Sequence, residues 1–177
     1  SGGGATFSGG EPLMQPDFLL ALLNQCRAED IHTAVDTTCH AQGNVMRRVA
    51  EAADLLLCDI KHMDSDKHQR YTGAPNELIL DNLRAIAKAG KPLIVRIPFV
   101  PGFNDNEANI ENTARFVQSL RAVSRIDILP YNRGGLEKSA RLTTGFDLMK
   151  GESPSDKRMA DIANTLRGYG FKVAIGG

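Results

Sequence analysis

The amino-acid sequence predicts an α/β fold built on parallel strands, and three features carry that reading. Apolar runs alternate with amphipathic stretches along the chain. Runs such as Leu55-Leu56-Leu57 are near-continuous, the pattern of strands covered on both faces. The stretches between them carry readable helix ends. Such alternation predicts parallel strands joined by right-handed crossovers. A full eight-unit barrel takes about 250 residues, or ~31 per unit, so the 177 residues here hold five units and a tail. That count fits either a doubly wound sheet or an incomplete barrel.

Strands are predicted at residues 5–7, 31–35, 55–60, 93–99 and 126–129, with a last short one at 171–175. Phe18, Leu19, Leu22, Leu23 and Cys26 form the stripe of a first helix, with Pro16 near its start. Val45, Val49 and Ala52 mark a second. Leu80, Leu83, Ile86 and Ala87 mark a third, stopped by Gly90, where a left-handed residue suits the helix end. Ile110, Ala114, Val117 and Leu120 mark a fourth, opened by Asn104 or Asp105. Ser153-Pro154-Ser155-Asp156 reads as a capping sequence with proline at the first helical position. It opens a fifth helix carrying Met159, Ile162, Ala163 and Leu166. Residues 133–151, rich in glycine and charge, are the expected irregular region, and residues 1–177 read as one domain.

Composition excludes several classes. The 21 basic and 21 acidic residues cancel, so no global field favours nucleic acid or a membrane surface. No apolar stretch approaches the ~20 residues of a membrane span, and the first residues lack the pattern of a signal peptide. A cytoplasmic location is the expectation. Cys26, Cys39 and Cys58 lie too far apart for a zinc pair or an iron–sulfur motif. Cys26 and Cys58 sit in apolar runs and read as core packing; Cys39, beside Asp36-Thr37-Thr38, is more open to a role. His32, His40, His62 and His68 show no metal-ligand pairing and read as surface residues.

Chemistry concentrates at the strand ends. They carry Ser8-Gly9-Gly10-Glu11-Pro12, then Asp36-Thr37-Thr38, then Asp59 and Lys61, then Arg96 followed by Pro101-Gly102-Phe103-Asn104-Asp105, then Tyr131-Asn132. In a parallel α/β fold these ends share one face, where ligands bind. A convergence of Glu11, Asp36, Asp59, Lys61 and Arg96 suits a small zwitterion bearing an amine and a carboxylate.

Phe7-Ser8-Gly9-Gly10-Glu11-Pro12 resembles the GGEP signature of the radical S-adenosylmethionine enzymes. Asp59-Ile60-Lys61-His62-Met63-Asp64, Lys67-His68, Tyr71-Thr72-Gly73, Arg96-Ile97-Pro98 through Asp105, and Leu129-Pro130-Tyr131-Asn132 are similar to the glycyl radical enzyme activating enzymes in particular, pyruvate formate-lyase activating enzyme among them. The resemblance runs from Ala5 to Gly177. It implies a partial TIM-like β/α barrel and S-adenosylmethionine as cofactor. It also implies a [4Fe–4S] cluster held by three cysteines of a C-x3-C-x2-C segment. The implied partners are a glycyl radical enzyme and an electron donor such as flavodoxin or ferredoxin. In that chemistry the cluster reduces the sulfonium, and the resulting radical takes a hydrogen atom from a backbone glycine of the partner. Carried over, Gly9, Gly10 and Glu11 hold the methionyl amine. Asp59 and Lys61 contact polar groups of the cofactor, Arg96 reaches its carboxylate, and Asp36 and Thr37 line its site. Asn132 stands where the family usually has histidine, and Cys39-His40 where it usually has glycine and an aromatic residue. The three-cysteine segment is not among these residues, so the expectation is the C-terminal part of a longer enzyme, inactive alone. The alternatives are another radical S-adenosylmethionine enzyme, a metal- or phosphate-dependent barrel lyase, or a non-enzymatic binding module.

Overall fold

The computed structural model of the chain describes residues 3–121, 123, 125–131 and 153–176. Six strands form one sheet: β1 (Gly4–Phe7), β2 (His32–Thr37), β3 (Leu55–Asp59), β4 (Leu93–Phe99), β5 (Arg125–Pro130) and β6 (Lys172–Ile175). Each pairs in parallel with the next in sequence, giving the order β1-β2-β3-β4-β5-β6. A doubly wound sheet reverses its strand order at a switch point; this one never does. The architecture is therefore that of a partial TIM-like β/α barrel.

Between the strands lie a 3-10 turn (Pro12–Met14) and the helices α1 (Pro16–Ala28), α2 (Gly43–Ala52), α3 (Ser65–Thr72), α4 (Glu77–Lys88), α5 (Glu107–Ser119) and α6 (Asp156–Gly168). Their ends follow from local chemistry. Pro16 occupies the first turn of α1, where its missing N–H is no loss. Gly90, at φ +68°, ends α4 as expected. Its N–H donates to the Ala87 carbonyl at 3.0 Å and that of Lys91 to Ile86 at 3.3 Å, the two bonds of a Schellman motif.

Three elements depart from the sequence reading. Helix α3 was not foreseen: Ser65–Thr72 is polar and buries only His68, so it has no apolar stripe. It is started instead by the Asp64 carboxylate, which accepts from the Lys67 N–H at 3.0 Å. Helix α5 is capped by Asn106, not by Asn104 or Asp105. Helix α6 is capped by Ser155, which accepts from the Arg158 N–H at 3.2 Å, so Ser153 and Pro154 lie outside it. The expected irregular region 133–151 lies outside the described residues.

The strands alternate in cover, as period-two side-chain placement requires. On β4, Leu93, Val95, Ile97 and Phe99 are buried while Ile94, Arg96 and Pro98 are half-buried. On β3, Leu56 and Cys58 are buried and Leu55, Leu57 and Asp59 are not. Thus Leu55-Leu56-Leu57 is not covered equally on both faces. The fully covered face packs on Leu23, Met46, Leu83, Ile110, Val117 and Leu166 of the helices. Burial of such side chains contributes roughly 1.5–3 kcal/mol each. In α1 the stripe is narrower than its spacing suggests: Leu19 and Leu23 are buried, Cys26 is half-buried and Phe18 is 63% exposed.

Candidate functional site

The partly open face of the sheet carries the site. Asp36 lies opposite Leu57 in the β2–β3 register, and Asp59 opposite Arg96 in the β3–β4 register. Leu57 and Asp59 are two residues apart, so Asp36, Asp59 and Arg96 project from the same face. The Arg96 guanidinium is shared: Nη1 lies 2.7 Å from Asp36 Oδ2, and Nε lies 3.4 Å from Asp59 Oδ1. The Ser8 hydroxyl donates to the same Asp36 oxygen at 3.2 Å. The second approach is an ion-pair distance without hydrogen-bond alignment. Asp59 Oδ1 and Arg96 Nε are both fully buried and make no hydrogen bond. Two carboxylates on one guanidinium, with the Arg96 and Asp36 side chains 19% and 22% exposed, form a charged site that a ligand can reach. Burial holds the Asp59 carboxyl above the usual range; Lys61 and Arg96 pull it down, and Asp36 and Glu11 push it up.

The Gly9-Gly10 turn lies beside this cluster. Gly9 has φ +125°, which L side chains avoid, and a Cβ on either glycine would meet nothing within 4 Å. Its backbone is open to close approach. The Glu11 carboxylate, in contrast, is turned inward onto Leu13, Thr37 and Thr38.

Lys61 follows β3, whose pairing is extended by the Ile60 N–H donating to the Arg96 carbonyl at 2.9 Å. Among the described residues Lys61 has no ion pair. It lines a cavity of about 160 Å³ with Thr38, Asp59 and His68.

The strand-end loops are fixed by buried asparagines that the sequence reading missed or misassigned. Asn104 donates to the Lys61 and Pro98 carbonyls at 2.8 and 2.7 Å and accepts from the Val100 N–H at 2.8 Å. Asn76 donates to the His62 and Met63 carbonyls, and Asn109 accepts from the Met63 N–H. Asn82 holds the carbonyls of Cys39 and Ala41, both at 2.8 Å. Both functions of an amide suit a loop that presents donors and acceptors together; nothing in the periodicity signals it.

His62 and His68 are not surface residues; each is 3% exposed. His62 Nδ1 accepts from the Asp64 N–H at 2.9 Å, and its ring lies 5.2 Å from that of Phe103. His68 Nδ1 donates to the Ala74 carbonyl at 2.6 Å. Burial lowers the pKa of both imidazoles. His62 lies in the loop after β3 and His68 on α3, and both are covered although the sequence around them is polar.

Asn132 lies outside the described residues. The cysteines do not assemble a cluster site. Cys39 and Cys58 are fully buried, Cys26 is on α1, and among the described residues no three His, Cys, Asp or Glu side chains are grouped to hold a metal. Burial, then the neighbouring Cys58 thiol, pushes the Cys39 thiol well above its usual pKa. These residues do not fit an iron–sulfur cluster. The charged cluster does fit a small zwitterion.

A model of the radical SAM superfamily matches residues 2–117. The chain is 35% identical over 180 residues to the trans-4-hydroxy-L-proline dehydratase activating enzyme of Clostridioides difficile, covering 100% of this chain and 59% of that protein. It is 35% identical over 167 residues to the pyruvate formate-lyase-activating enzyme of Clostridium pasteurianum, covering 94% of this chain and 70% of that one. Among solved structures it is similar to a domain of pyruvate-formate lyase-activating enzyme from Bacteroides vulgatus. That match has a TM-score of 0.83 and 40% identity, over 99% of this chain and 100% of that one. The chain spans between 51% and 59% of the length of the first three curated relatives it matches.

Proposed function

Because the chain belongs to the radical SAM superfamily and, within it, to the glycyl radical enzyme activating enzymes, we propose that its strand ends bind S-adenosylmethionine in an enzyme that generates a glycyl radical on a partner protein. The observation that carries the reading is Arg96 held between Asp36 and Asp59 on the partly open face of the sheet, beside the open Gly9-Gly10 backbone. An α-amino acid ligand brings one carboxylate and one ammonium to such a set.

In this reading the Gly9-Gly10 backbone takes the methionyl amine together with the acidic side chains around it. Arg96 takes the carboxylate. Asp59 and Lys61 contact further polar groups of the cofactor, Asp36 and Thr37 line its site, and Asn132 is a further contact carried by the resemblance. S-adenosylmethionine supplies a sulfonium whose carbon–sulfur bond breaks on one-electron reduction. The electron must come from a cluster that Cys26, Cys39 and Cys58 do not hold. The chain's own residues bind, orient and keep water from the cofactor, the protein's usual share of cofactor chemistry. Its partners are a glycyl radical enzyme of the pyruvate formate-lyase type and an electron donor such as flavodoxin or ferredoxin.

The test is titration of the chain with S-adenosylmethionine, followed by amide chemical shifts. Saturable shifts at Gly9, Gly10, Asp59 and Lys61 are expected. A charge-assisted hydrogen bond contributes about 1.5–3 kcal/mol, so Arg96→Ala and Asp59→Ala should each weaken binding roughly tenfold or more. Wild-type affinity in both variants, or no shifts at the strand ends, would overturn the assignment. Anaerobic reconstitution of the same chain should give no stoichiometric cluster and no cofactor cleavage.

A further inference from the structure

Residues 61–63 carry the chain from the end of β3 to the Asp64 cap of α3, outside any helix or strand. Their backbone is held nevertheless, and side-chain amides hold it. The Lys61 carbonyl accepts from Asn104 Nδ2 at 2.8 Å. The His62 and Met63 carbonyls each accept from Asn76 Nδ2 at 2.9 Å. The Met63 N–H donates to Asn109 Oδ1 at 2.9 Å, and Asn109 Nδ2 donates to the Asn104 carbonyl at 3.0 Å. All three asparagines are buried. They come from the start of α4, the loop after β4 and the first turn of α5, and they converge on one short segment.

The amides serve this segment at some cost to their own elements. Asn76 stands at the N-cap of α4, yet its side chain makes no capping bond, because its amide is turned to the His62 and Met63 carbonyls. Asn104 ties the segment to β4. The amide that holds the Lys61 carbonyl also donates to the Pro98 carbonyl at 2.7 Å and accepts from the Val100 N–H at 2.8 Å. An amide offers both functions without charge. None of the three asparagines lines the cavity that Lys61 shares with Thr38, Asp59 and His68. They reach a ligand there only through the backbone they hold. A lysine ends in a flexible four-carbon stem, so the protein sets the reach of its ammonium by fixing its backbone.

We propose that Asn104 is a positioning residue: with Asn76 and Asn109 it fixes the backbone at Lys61, so that the lysine ammonium meets its ligand in this cavity. This rests on the reading that the strand ends bind S-adenosylmethionine and that Lys61 contacts it.

The test is a mutant cycle on the full chain, with calorimetric affinity for S-adenosylmethionine and urea stability measured on every variant. Lys61→Met and Asn104→Ala should each weaken binding several-fold. The two together should bind no more weakly than the worse single, because both changes break one linkage. Stability should behave differently, with Asn104→Ala destabilising the chain equally whether lysine or methionine stands at 61. A merely structural asparagine would instead weaken binding in both backgrounds. Combined with Arg96→Ala, the affinity loss of Asn104→Ala should add. Should Asn104→Ala not fold, Asn109→Ala, which frees the Met63 N–H and the Asn104 carbonyl, takes its place in the same cycle. Wild-type affinity in the folded asparagine variant, or a loss that adds to that of Lys61→Met, would overturn the inference. A wild-type chain that does not bind S-adenosylmethionine would overturn the underlying reading as well, an outcome distinct from binding that is present but insensitive to the asparagines.

Discussion

Arg96→Ala removes the guanidinium that Asp36 and Asp59 both face. Truncating one partner of a fully buried pair costs about 3–5 kcal/mol, and of an exposed pair about 0–1 kcal/mol. Here the three side chains are 19%, 22% and 16% exposed, for Arg96, Asp36 and Asp59 in turn. Lys61 remains nearby as a partial substitute for the lost charge. A loss of about 2 kcal/mol at neutral pH follows, between those limits. Its pH dependence is set by Asp59, whose pKa is raised by burial and held down by Lys61 and Arg96. Without Arg96 it rises further. A carboxyl with a raised folded pKa gives stability that is complete below its ordinary value of about 3.9 and is lost as pH climbs through the folded value. The deficit of Arg96→Ala should therefore be small in acid and grow toward pH 7. Urea unfolding at several pH values measures this. Asp59→Asn in the Arg96→Ala background should return most of the stability at neutral pH. An Arg96→Ala deficit that is independent of pH, or untouched by Asp59→Asn, would refute the reasoning.

Two further expectations follow from buried polar groups. Asn104→Ala strands the Lys61 and Pro98 carbonyls and the Val100 N–H. At about 1–3 kcal/mol for each unsatisfied group, the variant should lose about 3 kcal/mol or more, with faster amide exchange at Val100; unchanged exchange there would count against it. The buried imidazoles make stability fall as pH drops. With folded pKa values below the ordinary one of about 6.5, His62 and His68 bind fewer protons folded than unfolded, so stability is present above that value and lost beneath it. His62 faces Lys67, Asp64 and His68; His68 faces Lys61, His40 and Glu77. Each contributes at most about 1.4 kcal/mol per pH unit. Urea midpoints between pH 7.5 and 5 should show a shallower slope in His68→Gln, and identical slopes would exclude the histidine.

What the sequence disclosed depended on the kind of signal. The run at Leu93–Phe99 is bounded by charge on one side and a turn on the other, and the strand observed is the strand predicted. Alternation alone fits both barrel and doubly wound sheet, because each is a series of strand–helix units; only the pairing order separates them. Helix α3 was illegible because its stability comes from a cap and one buried histidine, not from a stripe. Asn104, Asp105 and Asn106 are all good caps by type, and Asn104 is taken by carbonyls that no local pattern reveals. The convergence of Asp36, Asp59 and Arg96 was legible from strand-end polarity, whereas the Thr37 and Thr38 partners of Glu11 lie 26 and 27 residues away. Cys39 adopts φ +60°, a backbone conformation that glycine takes without strain and that nothing in the sequence pattern signals.

The unbroken order of the strands bears on how the site comes into being. Each strand finds its partner among the residues that immediately precede it on the ribosome, and domains form as the chain emerges. Asp36, Asp59 and Arg96 sit on three consecutive strands, so their meeting requires nothing made after β4. The charged trio can gather while β5, α6 and β6 are still being synthesised. Were the sheet to form in that order, the units after β4 would extend a sheet whose charged trio is already complete in sequence.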